Sequence, residues 1–144
     1  MTTTQDMLDT VPTGVPFGAE LVAAAIDTCL RCTQSCTTCA GADLVEPDID
    51  EMRDCIAICL NCADVCALVA RLLSRPAHND EYVIHRLLQA SVRVCTACAD
   101  ECAKHAHHHR HCALSEKVCR ECMTACQRLL DTESMAEVQK LAGA

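Results

Sequence analysis

Cysteine recurs along this chain at alternating intervals of three and four residues, in four separate stretches. Cys29, Cys32, Cys36 and Cys39 are spaced 3, 4, 3, and Cys55, Cys59, Cys62 and Cys66 are spaced 4, 3, 4. Cys95, Cys98 and Cys102 follow at 3 and 4, and Cys119, Cys122 and Cys126 repeat that step with Cys112 ahead of them. Residues three and four apart lie on one face of an α-helix, and the alternation is the a/d stripe that packs a bundle seam. Each stretch is therefore a helix with a sulfur-lined face, and the four faces have one natural destination, a shared core.

The rest of the chain fits four helices. Only four Gly and four Pro occur in 144 residues, and Ala, Leu, Glu, Arg and Cys dominate, which is helical composition. A first helix is expected over about 17–40, after a loose N-terminal arm of residues 1–16 that ends in Pro12, Gly14 and Pro16. Pro47 suits an early helical position, and Asp48, three residues before Glu51, resembles a capping box. The second helix then runs to about Ser74, where Arg75-Pro76 stops it. Asn79 is the expected cap of a third helix reaching at least Lys104 and extending toward His109, and a fourth spans about 114–131. A short helix over 133–144 could follow. Short connections between long helices predict an all-α, antiparallel up-down-up-down four-helix bundle, one domain over 17–144.

Apolar residues complete the pattern. Leu21, Val22, Ala25 and Ile26 precede the first sulfur stripe, and Val69, Leu72 and Leu73 follow the second. Val83, Ile84, Leu87 and Leu88 precede the third, and Leu129 and Leu130 follow the fourth. In an antiparallel bundle these fall at the same end. One half is then an aliphatic core able to fold without metal, and the other is a tube of thiols.

Composition removes several functional classes. A net charge of −8, from 20 acidic and 12 basic residues, argues against nucleic acid, and one Phe, one Tyr and no Trp leave no stacking platform. No apolar run was expected to reach the roughly 18 residues a bilayer span requires, so no membrane partner is expected. No nucleophile–base set or phosphate-binding Gly loop is visible, which predicts a protein that is not an enzyme. Residues 1–16 resemble neither a secretory signal nor a transit peptide, predicting a cytoplasmic, reducing location; the alternative is a mature form whose signal was removed.

Buried free cysteines acting as small hydrophobes would explain one stripe but not four. Cystines fit poorly too. Facing bundle helices lie about 8–10 Å apart, beyond the usual reach of about 7 Å between bridged Cα atoms. Metal binding remains. Sulfurs one turn apart suit Cu(I), a soft d¹⁰ ion content with two or three thiolates. Zn(II) seeks closed sets of four, usually from separate loops, and iron–sulfur clusters need space for bridging sulfide. Matching each thiolate with one cation predicts about 15 Cu(I) per chain, plus a few at histidines.

Continuing the third stripe from Cys98 and Cys102 by 3 and 4 places His105 and His109 on the inner face, at the mouth of the tube. Imidazole is a weaker, exchangeable Cu(I) ligand that suits an entry port; a solvated His-rich loop is the alternative. His107 and His108 point elsewhere on a persisting helix, and the position of His111 depends on the turn. His78 and His85 fall at the aliphatic end, where ordinary surface or interface roles are expected. Met7, Met52, Met123 and Met135 are expected to serve packing.

The motifs CxxCxxxCxxC, CxxxCxxCxxxC and CxxCxxxCxxHxxxHxHC resemble those of the bacterial copper storage proteins, in particular the cytosolic branch. The resemblance spans about residues 17–131. It implies a four-helix bundle holding many Cu(I) ions along its axis, with the fifteen cysteines and His105, His109 and His111 as ligands, and a homotetrameric assembly. Ser115 departs from it, because a Cys is expected three residues after Cys112. Other thiolate roles stay open on the residues alone: copper trafficking, zinc buffering or an iron–sulfur electron carrier.

Overall fold

The computed structural model describes residues 2–132 and 140–141, and the described chain contains helices and no strands. The α-helices are α1 (Thr3–Asp9), α2 (Ala19–Asp43), α3 (Arg53–Leu73), α4 (Glu81–Ala103) and α5 (Arg110–Leu130). The helix expected over 133–144 lies outside the described residues except for 140 and 141, which are helical.

The arm is not loose throughout. Thr2 caps α1 by accepting a hydrogen bond from the Gln5 amide, Leu8 is buried, and the Thr4 hydroxyl donates to the Asp27 carboxylate on α2. Single-turn amphipathicity gave this segment no visible signal; its order comes from packing. Phe17 (φ +71°) and Gly18 (φ +93°) then swing the chain into α2, a left-handed pair in which Gly18 adopts what L side chains rarely tolerate.

Short polar devices end the other helices. A 3₁₀ turn, Ile49–Met52, leads into α3, and the Asp48 side chain makes no cap bond there. At the α3 terminus the Ser74 hydroxyl donates to the Ala70 carbonyl, and the Asn79 side-chain amide donates to the Leu72 carbonyl. Asp80, not Asn79, caps α4, accepting from the amides of Tyr82 and Val83. Helix α4 stops at Ala103, short of the expected histidines, and α5 begins four residues earlier than expected, taking Cys112 into its first turn.

Each of the four long helices packs on two others: α2 on α3 and α5, and α4 on the same two. Sulfur contacts give the register. Cys29 meets Cys126 and Cys122, Cys32 meets Cys119, and Cys39 meets Cys112, so α5 numbers fall as α2 numbers rise. The α3–α4 pair behaves likewise, Cys66 meeting Cys95 and Cys59 meeting Cys98 and Cys102.

This register gathers the buried aliphatic residues at one end, as expected: Val22, Ala25, Ile26, Val69, Leu73, Ile84, Leu88 and Leu129. His85 corrects the surface assignment. It is only 1 % exposed, and its Nδ1 has no hydrogen-bond partner. A second correction concerns length and polarity: Ile49–Leu73 contains an 18-residue stretch with a mean hydropathy of 2.0, long and apolar enough to cross a membrane by composition. Four of its apolar residues are Cys55, Cys59, Cys62 and Cys66, all facing the core.

Because the aliphatic end contains no sulfur, it holds the helices together before any ion binds. The metal-free protein should give a helical far-ultraviolet circular dichroism spectrum, and a coil spectrum would contradict this assignment. Leu88→Ala should cost about 2–4 kcal/mol, read as a lowered urea midpoint of the metal-free chain.

Candidate metal centre

All fifteen cysteines are free and buried, none more than 1 % exposed. Helical spacing alone explains this: each stripe is the inward face of its helix, and the four stripes converge on one axis. Neighbouring sulfurs touch, with Sγ–Sγ separations from 3.5 Å (Cys36–Cys119) to 3.9 Å (Cys55–Cys59 and Cys66–Cys122). A disulfide needs about 2.05 Å. The array is thus in van der Waals contact without being bridged.

From the aliphatic end outward the sulfurs fall into overlapping groups whose atoms lie within 4.8 Å of one another. Cys29, Cys122 and Cys126 come first, then Cys32, Cys66, Cys95 and Cys122. Cys32, Cys36, Cys62 and Cys119 form the next group, and Cys39, Cys55, Cys59 and Cys102 the one beyond it. Shared members such as Cys32 and Cys122 make this a continuous ladder in which one sulfur can bridge two ions. Ser115 stands on the same stripe, 1 % exposed, its Oγ 3.5 Å from Cys102 Sγ and 3.7 Å from Cys36 Sγ. It puts a neutral hydroxyl where the spacing calls for a sulfur.

Contact between thiols sets their acidity. Hydrogen bonds from Cys119 and Cys32 hold Cys36 well below the usual thiol range, and those from Cys126 and Cys29 do the same for Cys122. Their partners move the other way: Cys59 is pushed up by Cys102 and Cys36, and Cys32 by Cys119 and Cys122, with burial adding to both. Only some thiols can ionise while others stay protonated as donors. No Lys or Arg is buried among the described residues. Full ionisation of the ladder therefore requires cations from outside.

The histidine end differs from the sequence expectation. Because α4 stops at Ala103, His105 and His109 do not continue the sulfur stripe. His105 Nε2 lies 3.0 Å from Glu101 Oε2, a carboxylate that also takes the Lys104 ammonium at 3.1 Å. His109 Nδ1 pairs with Glu46, and its Nε2 lies 3.0 Å from Asp48 Oδ2. The hydrogen bond between His109 and Asp48 raises the pKa of His109 above its ordinary value and lowers that of Asp48. The two outer histidines are thus held by carboxylates from the α2–α3 connection and from α4. His107 and His108 are exposed, their rings 4.0 Å apart.

His111 is the histidine that reaches the sulfurs. Its Nδ1 sits 3.3 Å from Cys39 Sγ and 3.6 Å from Cys112 Sγ. Beside it is Asp43, wholly buried, with Oδ1 3.6 Å from His111 Nδ1 and 3.8 Å from the Cys112 sulfur, which donates to it. Asp43 Oδ2 has no hydrogen-bond partner. Sequence reasoning missed this carboxylate, although the signal was present: Asp43 lies four residues after Cys39 and continues the 3/4 stripe of α2 by one step. Glu46, Asp48 and Glu101 carried no such periodic signal as histidine partners.

Residues 19–131 match the model of a family described as copper storage protein. Among solved structures, the copper storage protein Ccsp of Streptomyces lividans loaded with 10 copper equivalents superposes with a TM-score of 0.84 and 45% identity, covering 89% of this chain and 98% of that one. A second structure of the cytosolic protein from S. lividans, carrying five coppers, gives 0.77 and 47% over 78% of this chain and 94% of that one. The cysteine-rich protein YhjQ of Bacillus subtilis is 29% identical over 106 residues, 74% of this chain and 93% of its own.

Burial pushes the Asp43 carboxyl up to about 7, the Cys55 thiol adding to the effect and His111 opposing it. An unfolded aspartate titrates near about 3.9. Between those values the folded chain holds a proton that the unfolded chain releases, so stability falls as pH rises from about 4 to about 7. The urea midpoint of the metal-free protein should decline across that window, and Asp43→Asn should flatten the decline.

Proposed function

The chain belongs to the copper storage protein family, and from that premise we propose that it is a cytosolic store for many Cu(I) ions, held by cysteine thiolates inside an antiparallel, up-down-up-down four-helix bundle. The observation that carries this reading is the unbroken contact of fifteen buried sulfurs along one axis with no buried Lys or Arg beside them. Cu(I) satisfies both demands of such a bore. It takes two or three thiolates, so adjacent sulfurs share ions along the ladder, and each monovalent ion neutralises one thiolate.

In this reading all fifteen cysteines, Cys29 to Cys126, bind copper, and the ligand set closes at the mouth with His111. His105 and His109 stand just outside, where exchangeable imidazoles beside Glu46, Asp48 and Glu101 receive a cation and pass it inward. The role is storage and not catalysis. The bundle over 17–144 acts as one unit behind the arm 1–16. By resemblance it assembles as a homotetramer, with copper ions as cargo and neither nucleic acid nor a membrane as partner.

The competing thiolate roles fare less well against the geometry. A trafficking module needs one accessible site of few ligands, whereas these sulfurs are buried and number fifteen. An iron–sulfur carrier needs room for inorganic sulfide, and sulfurs already 3.5–3.9 Å apart leave none between them.

Anaerobic titration of the metal-free protein with Cu(I) against a chelator, read by elemental analysis, tests metal and capacity together. Saturation is expected near 15 ions per chain, with a few more at histidines. Saturation at about four ions or fewer would reject the multi-ion bore, and a brown anaerobic protein would indicate a cluster instead.

A further inference from the structure

One group at the mouth is chemically unlike the rest of the ladder. Cys39, Asp43, His111 and Cys112 offer two sulfurs, one nitrogen and one oxygen, all within 4.8 Å of one another. We infer that these four residues form a preformed tetrahedral site for a divalent ion of the zinc class, occupied in the copper-free protein.

The geometry is specific. A tetrahedral ion with bonds of about 2.3 Å to sulfur and about 2.0–2.1 Å to nitrogen or oxygen holds its ligand atoms about 3.3–3.8 Å apart. Five of the six edges of that tetrahedron fall inside this range. Cys39 Sγ to His111 Nδ1 is 3.3 Å, and Cys39 Sγ to Cys112 Sγ is 3.8 Å. His111 Nδ1 to Asp43 Oδ1 and to Cys112 Sγ are both 3.6 Å, and Cys112 Sγ to Asp43 Oδ1 is 3.8 Å.

The far atoms of two of these side chains are buried as well. Asp43 is 0 % exposed, yet its second oxygen has no partner, and His111 Nε2 is likewise buried and unpaired. Burying a carboxylate without a countercharge is costly, and a dication held at Asp43 Oδ1 supplies one. Charge then favours a divalent ion here over the all-sulfur groups. Two thiolates and one carboxylate around a dication leave a net −1, whereas four thiolates leave −2 in a fully buried setting. Carboxylate oxygen is also a donor that zinc accepts readily and Cu(I) does not seek.

This inference concerns the copper-free state and stands apart from the storage proposal, which Cu(I) capacity reads on its own. The test uses Co²⁺ and Zn²⁺ with the full-length, anaerobic, metal-free chain. The first equivalent of Co²⁺ should give the visible bands of a tetrahedral ion with sulfur charge transfer. Asp43→Ala and His111→Ala should each weaken that binding by at least about tenfold and shift the bands, while Cys66→Ser, in an all-sulfur group, should leave them in place. X-ray absorption of the wild-type chain with one Zn²⁺ should show two sulfur and two nitrogen or oxygen scatterers, a readout that needs no variant. Four sulfur scatterers, a pale octahedral cobalt spectrum, or bands lost in Cys66→Ser and kept in Asp43→Ala would each overturn the assignment.

Discussion

Sulfur packed against sulfur in a dry bore is the condition on which this structure turns. As thiols, the fifteen side chains behave as small apolar groups and close the centre of the bundle without strain on the helices. As thiolates they would place many negative charges within 3.5–3.9 Å of each other, with no Lys or Arg buried among the described residues. The ladder therefore keeps most of its protons when empty and needs cations to give up the rest. Every proton released from the ladder must be exchanged for positive charge.

That condition explains the division of the bundle into two halves. Metal-independent stability comes from the end built of Val22, Ile26, Val69, Leu73, Ile84, Leu88 and Leu129, where burial follows the ordinary hydrophobic rule. The sulfur half can then be chosen for what it binds. The mouth is a third zone, in which Asp43, Glu46, Asp48 and Glu101 surround His105, His109 and His111. Its negative fixed charge draws cations toward the bore, whereas a mouth of imidazoles alone would become repulsive on protonation.

Much of this was legible in the residue order. The 3/4 spacing of cysteine located four helices, oriented their faces and placed the aliphatic end, because helical periodicity leaves little freedom once several side chains share a face. The histidine segment departs from the periodicity because Ala103 closes α4: the turn through Lys104–His108 leaves His105 on Glu101 of the same helix and carries His109 to Glu46 and Asp48 in the α2–α3 connection. Asp43 was passed over for the opposite reason. It obeys the stripe but not the expectation that an inward-facing position holds sulfur or carbon. His85 and the short helix α1 owe their burial to tertiary packing, which no local pattern reports.

The aliphatic plug has a consequence for traffic. A channel stoppered at one end has a single door, so an ion beside Cys29 and Cys126 reaches solvent only by passing along the whole row of sulfurs toward Cys39 and Cys112.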